Sequence, residues 1–199
     1  MHQYAVFNHN RDLIGRWLGV SSLLIAGGIA ETLVWLEGLS GWQVFAKATI
    51  TTALVYFFLH WLFSKYIWKA ALVGVPDING SWDITGSTLG TDGTNIFQWD
   101  GRLTIEQDWK TILVTLRTSE SRSLSYTATI FKHGGDRSDW ILTYSYKNEP
   151  DLEQSHEMNS HRGYCEIVFD RDFRSGKGSY FNSSGRRTAG VMELVKEDD

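Results

Sequence analysis

Two apolar stretches, Leu13 to Leu36 and Val44 to Trp68, stand near the head of this 199-residue chain, and a polar remainder follows them. At about 1.5 Å per helical residue, roughly 20 residues cross a hydrocarbon core of about 30 Å, so either stretch is long enough to span. The spacing predicts two membrane helices, about 13–36 and 44–68, within residues 1–73, and one further domain over 74–199. Trp17, Trp35, Trp42, Trp61, Tyr66 and Trp68 cluster near the ends of the stretches, where amphipathic rings favour the headgroup layer. A cleaved signal peptide is the competing reading of the first stretch. Against it, Glu31 interrupts the small residues after Ile29 and Ala30 that a cleavage site would use.

Flanking charge sets the expected orientation, because short cytoplasmic loops carry the excess of Lys and Arg. Arg11 and Arg16 sit at the start of the first stretch, Lys65 and Lys69 close the second, and the turn from Glu37 to Gln43 has no basic residue. Both the N-terminus and the C-terminal domain are therefore expected on the cytoplasmic side, in a multi-pass protein. Lys47 is the contrary charge, and it can snorkel.

The formal charge of -4 is unevenly shared: residues 1–76 hold five basic and three acidic side chains, residues 77–199 hold 14 and 20. An acidic domain lacks the basic face that DNA or RNA binding needs, so nucleic acid is not an expected partner. The lone cysteine, Cys165, excludes an intrachain disulfide and a multi-cysteine zinc site, and reads as a small buried hydrophobe. No nucleophile, base and orienting acid recur in a known pattern, and no P-loop is present, so the reading is a binding module with no catalytic or metal residues.

From Asn79 onward, short alternating runs are separated by Gly, Asp, Asn and Ser, the mark of an all-β barrel or sandwich. The pattern predicts eight strands, near 79–86, 97–107, 111–118, 123–132, 139–148, 161–169, 176–182 and 187–196. Alternation turns Trp99, Gly101, Leu103 and Ile105 inward on the second, Trp140, Leu142, Tyr144, Tyr146 and Asn148 on the fifth, and Gly176, Gly178, Tyr180 and Asn182 on the seventh. Short connections favour an antiparallel meander, and closing it removes the exposed edges. The expected fold is therefore a membrane α-helical hairpin followed by an eight-stranded antiparallel up-and-down barrel, lipocalin-like in form. The opening Gly80-Ser81-Trp82 is similar to the Gly-x-Trp start of lipocalin-like barrels, although a Trp in an ordinary core reads the same way.

In a meander, alternate loops share a rim. Loops 87–96, 119–122, 149–160 and 183–186 are expected on the rim farther from the membrane, where Thr118, Ser121, Asn148, His161, Asn182 and Thr188 gather above Tyr144, Tyr146 and Tyr180. At the other end Trp82, Ile105, Ile112, Ile130, Trp140, Phe169 and Leu194 would close the barrel. A polar, aromatic mouth over an apolar base is the form of a small-molecule pocket. Aromatic faces stack on bases and Asn, Thr and Ser read base edges, so a nucleotide fits. Arg187 is the expected phosphate-facing cation, with Arg186 and Arg122 nearby. Strict alternation from Met192 and Leu194 points Arg187 outward, so that role needs a bulge at Gly190 or a place on the rim. Each element also has a plainer reading: the tyrosines as core, His161 as a hydrogen-bonded pocket or core residue, Arg186-Arg187 as a solvated turn and Ser119 to Ser125 as a polar hairpin.

The order of these features carries a family resemblance. Two amino-terminal membrane helices precede Gly80-Ser-Trp82, Ile105-Glu-Gln107-Asp-Trp109, Thr118 with Ser121, Ser123 and Ser125, and Leu142-Thr-Tyr144-Ser-Tyr146-Lys-Asn148-Glu-Pro150. His161-Arg-Gly163 and Gly178-Ser-Tyr180-Phe181-Asn182 follow, before Arg187 and Gly190. The whole resembles the two-transmembrane, β-strand-rich effectors of bacterial CBASS antiphage systems. The resemblance implies a minimal barrel that binds a cyclic dinucleotide made by a cognate CD-NTase nucleotidyltransferase, with no other cofactor. It further implies ligand-driven homo-oligomerisation in the bacterial inner membrane, contact with membrane lipids, and disruption that kills the infected cell. Two other readings stay open, a membrane-tethered carrier of a lipid or small metabolite and a structural membrane anchor. The orientation is tested by single cysteines in a Cys165→Ser background. One near residue 40 should react with an impermeant thiol reagent in intact spheroplasts, one near residue 185 should not, and the reverse pattern would overturn the topology.

Overall fold

The structure, a computed structural model, describes residues 1–7, 9–40, 52–70, 73–90, 92–132, 139–154, 159–183 and 187–197. It divides into two compact units, His9–Gly74 and Met1–Asn8 together with Val75–Asp199.

The first unit holds helices α1 (Arg11–Ser40) and α2 (Thr52–Lys65), which lie in contact. Asn10 caps α1, its side-chain oxygen accepting from the Leu13 N–H at 3.1 Å. Ser22 and Ala26 of α1 and Val55 and Phe63 of α2 are buried, whereas Leu13, Trp17, Leu23, Leu24, Val34, Trp35, Leu54, Phe57, Phe58 and Trp61 are exposed. A helix in water hides such side chains along one stripe, so this outward apolar surface suits lipid. The segment Arg11–Thr32 is long and apolar enough to cross a membrane. At the far end of α2, Lys65 Nζ stands 5.7 Å from the Trp61 ring and 5.3 Å from Tyr66, a cation–aromatic cluster of the kind found at membrane surfaces. The start of the second expected span, with Trp42, Lys47, Thr49 and Thr51, lies outside the described residues.

The second unit is all β. After two short strands, β1 (His2–Gln3) and β2 (Ala5–Val6), come β3 (Gly80–Leu89), β4 (Asn95–Gln107), β5 (Thr111–Thr118), β6 (Ser121–Lys132), β7 (Trp140–Pro150), β8 (His161–Phe169), β9 (Ser175–Asn182) and β10 (Ala189–Lys196). Strands β3 to β10 form an antiparallel meander, and β10 returns to pair with β3 along its whole length, Ala189 with Leu89 through to Lys196 with Trp82. The result is the closed eight-stranded barrel expected from the alternation. Predicted strand ends move by a few residues, β3 running on to Leu89, β4 starting at Asn95 and β7 ending at Pro150.

One end of the barrel is dry. Trp82, Ile105, Ile112, Ile130, Phe169 and Leu194 are at most 1% exposed. The rings of Trp82 and Phe169 meet at 5.1 Å, and Lys196 Nζ lies 5.3 Å from the indole. Trp140 departs from the expected plug: it is half-buried at the edge, with Lys132 Nζ 4.8 Å from its ring. A second departure concerns Met1–Asn8, placed with the membrane segment on hydropathy but grouped with the barrel here, because β1 and β2 pair with β5 and β6. Two-residue strands are too short to leave a periodic signal.

Since Trp82 fills the closed end, Trp82→Ala should lower barrel stability by about 3–5 kcal/mol. Among the described residues its buried indole N–H has no hydrogen-bond acceptor, so Trp82→Phe gives up ring volume alone and should lose clearly less. Urea unfolding followed by circular dichroism checks both, and equal losses would overturn the plug.

Candidate ligand-binding site

The other end of the barrel is open over a cavity of about 470 Å³, within the range of about 300–1,000 Å³ typical of small-molecule sites. Its wall is built from alternate positions of the strands, so parity decides which side chains reach it. Eight of the nine residues expected at the site line the cavity: Thr118, Ser121, Tyr144, Tyr146, Asn148, His161, Tyr180 and Asn182. The ninth, Arg187, does not. It is exposed, has a φ of +32°, and precedes a β10 whose register runs unbroken through Gly190, so the bulge that would have turned it inward is absent. Arg122 is likewise exposed on β6, and Arg186 lies outside the described residues. Among the described residues the lining holds no Lys or Arg, while Asp100 and Glu120 stand in it.

Sequence reasoning passed over Thr88, named Ser123 only within the motif of Thr118, Ser121 and Ser125, and read Trp99 as inward without assigning it to the site. Thr88 and Trp99 lock Tyr180: its hydroxyl accepts from Trp99 Nε1 at 3.2 Å and shares a hydrogen bond with Thr88 Oγ1 at 2.9 Å. Across the mouth, Tyr146 donates to Asn182 Oδ1 at 2.8 Å, and Asn182 Nδ2 donates to Thr188 Oγ1 at 2.8 Å. Ser123 Oγ donates to Asn148 Oδ1 at 2.7 Å. At the β5–β6 turn, Thr118 Oγ1 accepts from the Ser121 N–H at 3.1 Å. His161 Nδ1 lies 3.0 Å from the Asn159 carbonyl, which can only accept, so Nδ1 carries a proton and neutral His161 keeps its acceptor at Nε2.

Three cavity rings share one device. Trp99 pairs across the ladder with Gly86, Tyr146 with Gly163, and Tyr180 with Gly190. A Cβ at Gly86 would overlap the Trp99 ring, one at Gly163 the Tyr146 ring, and one at Gly190 the Tyr180 ring. Each ring therefore lies against the wall over its glycine, and the space it would otherwise fill stays open. Deeper down, Tyr144 pairs with Cys165. Burial holds the Tyr144 hydroxyl well above its ordinary value, with Cys165 adding to the shift, and burial pushes the Cys165 thiol up to about 12. Both stay neutral at physiological pH. Among the described residues no group of three or more His, Cys, Asp or Glu converges on a point that could hold a metal ion.

The fold and this site define a class, a ligand-binding β-barrel carried on membrane helices. Residues 73–196 match the family model described as "Cap15, cyclic dinucleotide receptor domain", and residues 12–69 match "Cap15, TM helices". The chain is also 32% identical, across 98% of its own length and 97% of the relative's, to CD-NTase-associated protein 15 of Yersinia aleksiciae. It belongs to the Cap15 family, the CBASS membrane effectors that the ordered motifs resemble.

If glycine at the partner position is what seats the rings, Gly163→Ala should lower stability by about 1–3 kcal/mol, the usual range for overpacking. Much of that loss should disappear in a Tyr146→Ala background, as a double-mutant cycle in urea would measure. An undiminished loss would assign the cost to the Phe181 carbonyl, which the added methyl would also meet at 2.7 Å, and not to the tyrosine.

Proposed function

We propose that this chain is an antiphage effector of the bacterial inner membrane. Its barrel takes up a cyclic dinucleotide from a cognate CD-NTase, and its helices then gather into an oligomer that disrupts the bilayer and aborts infection. The observation that carries the ligand class is the cavity itself: Tyr146, Tyr180, Trp99 and Tyr144 supply rings at graded depth, interleaved with neutral hydroxyls and amides. In nucleotide complexes, stacking on such rings contributes about 1–3 kcal/mol per base, and Ser, Thr, Asn and Tyr are common partners of phosphate oxygens.

In this reading the rings hold the bases, while Thr118, Ser121, Asn148, His161 and Asn182 read polar edges and phosphate oxygens. Arg187, beside the lining residue Thr188 in sequence, acts from the rim through its field. A lipid carrier is less well supported, since the mouth is ringed by hydroxyls, amides and two carboxylates. The helices favour assembly. A side chain at Gly15, Gly19, Gly27 or Gly28 would meet nothing within 4 Å, so these small positions of α1 leave room for close approach of another helix.

Calorimetry on the full chain in detergent should show cyclic dinucleotide binding that falls more than tenfold in Tyr146→Ala, about 1.4 kcal/mol. Arg187→Ala should weaken it less, with an effect that fades as salt is raised. Unchanged affinity in a folded Tyr146→Ala variant would move the ligand elsewhere. Reconstituted in dye-loaded liposomes, the protein should cause leakage only with its cyclic dinucleotide, and steeply with protein density. Dye retained at saturating ligand would leave a receptor and remove the disruption step.

A further inference from the structure

Among the described residues, the seam between β5 and β6 is where the barrel wall forks. Only Thr115, Leu116 and Arg117 pair with Leu124, Ser123 and Arg122, whereas β6 runs on to Lys132. Between the parted edges lies the amino-terminal strap, residues 1–7. His2 and Gln3 pair antiparallel with Ile112 and Thr111 of β5, and Ala5 and Val6 pair parallel with Thr129 and Ile130 of β6. Phe7 adds an N–H to the Ile130 carbonyl at 2.9 Å. Ser125 stands at the fork: its hydroxyl accepts from the Val114 N–H at 2.9 Å and lies 2.7 Å from His2 Nε2.

The strap is also tied to the chain that returns from the helices. Buried Tyr4 donates to the Asp108 carbonyl at 3.1 Å and accepts from Gln107 Nε2 at 3.0 Å. The same Gln107 amide donates to the Pro76 carbonyl at 3.1 Å, while its oxygen accepts from the Ile78 N–H at 3.0 Å. One buried side chain thus holds both the segment that precedes α1 and the segment that follows the helical unit. In sequence, α1 begins at Arg11, directly after the strap, and Pro76 follows Gly74, where that unit ends.

Continued from Thr115 and Leu124, the β5–β6 ladder would run to Ile112 and Thr111, the edge that β1 now occupies. Closure of the seam to that point and seating of β1 therefore exclude each other. Above the fork the same strands carry Leu116, Thr118, Ser121 and Ser123 into the cavity. We propose that β1 of the strap and the cavity ligand compete: a cyclic dinucleotide packed against Leu116 and Thr118 of β5 and Ser123 of β6 favours the narrower barrel in which the ladder runs on below Thr115 and Leu124 to Thr111, and displaces β1. Its release loosens the strap that leads into α1, which is how occupancy of the barrel reaches the membrane helices. This rests on the reading of the cavity as a cyclic dinucleotide site. Strap pairs are exchanged for strand pairs of the same kind, so a ligand with unequal affinity for the two arrangements can tip the balance. Reciprocity then requires that fixing the strap weaken the ligand and that loosening it strengthen the ligand.

The test uses the full chain in detergent micelles with Gln3→Cys and Thr111→Cys. These are Cα partners in the β1–β5 ladder, where a spacing of about 4.5–5.5 Å suits a disulfide. Buried Cys165, its thiol pushed up to about 12, does not interfere at neutral pH. Cyclic di-AMP, cyclic di-GMP and mixed purine–pyrimidine cyclic dinucleotides are titrated calorimetrically before and after reduction. The reduced variant should bind like the unmodified chain, the oxidised variant at least tenfold more weakly, and reduction should restore affinity. Tyr4→Phe, which keeps the ring and drops both hydroxyl bonds, should bind at least twofold more tightly. With the disulfide confirmed by mass, equal or tighter binding when oxidised overturns the competition, as does weaker binding by folded Tyr4→Phe. No binding of any probe by the unmodified chain overturns the reading of the cavity itself, and the proposal with it.

Discussion

The cavity exists because three aromatic residues are paired, across the barrel ladder, with residues that have no side chain. An eight-stranded barrel encloses just enough space for its own inward side chains, so the default outcome is a filled core. Gly86, Gly163 and Gly190 change that outcome locally by giving Trp99, Tyr146 and Tyr180 a flat seat on the neighbouring strand. Hydrogen bonds then hold two of the rings at their far ends, Tyr180 to Thr88 and Trp99, Tyr146 to Asn182. A ring seated and tethered in this way has lost its rotational freedom before a ligand arrives, and binding need not supply that entropy.

The packed core and the cavity thereby lie at opposite ends of one barrel. The dry end carries the large side chains that are excluded from water, Trp82 and Phe169 with the isoleucines and leucines around them. The open end carries side chains whose hydrogen bonds are local and mostly neutral. Its one buried tyrosine–cysteine pair is kept uncharged by desolvation. Charge carried deep into the cavity would meet an environment that already disfavours ionisation.

Much of this was legible in the sequence because a period of two leaves little freedom. Once Trp99, Leu103 and Ile105 face inward, so do Gly101 and every second neighbour, and a meander brings Thr118, Asn148, His161 and Asn182 to a common rim. What alternation does not supply is register. The glycine partners of the rings become visible only when strand is set against strand, since Gly163 and Tyr146 are far apart in sequence. Inward placement of Arg187 fails for a related reason: it needed a bulge at Gly190, and the ladder there is regular, which leaves the expected place on the rim. The strap was missed because His2-Gln3 and Ala5-Val6 are too short to show a period, and because what organises them, the forked edges of β5 and β6, is a tertiary feature.

That fork also alters what counts as the domain. Hydropathy draws a boundary near residue 74, yet a piece cut there would leave Ile112 of β5 and Ile130 of β6 without the partners that β1 and β2 supply, and Gln107 without Tyr4. Unpaired edges invite pairing with another chain, so such a fragment could associate through its seam in a way the whole protein does not. The barrel is thus completed, on its β5 and β6 edges, by residues that precede α1 in sequence.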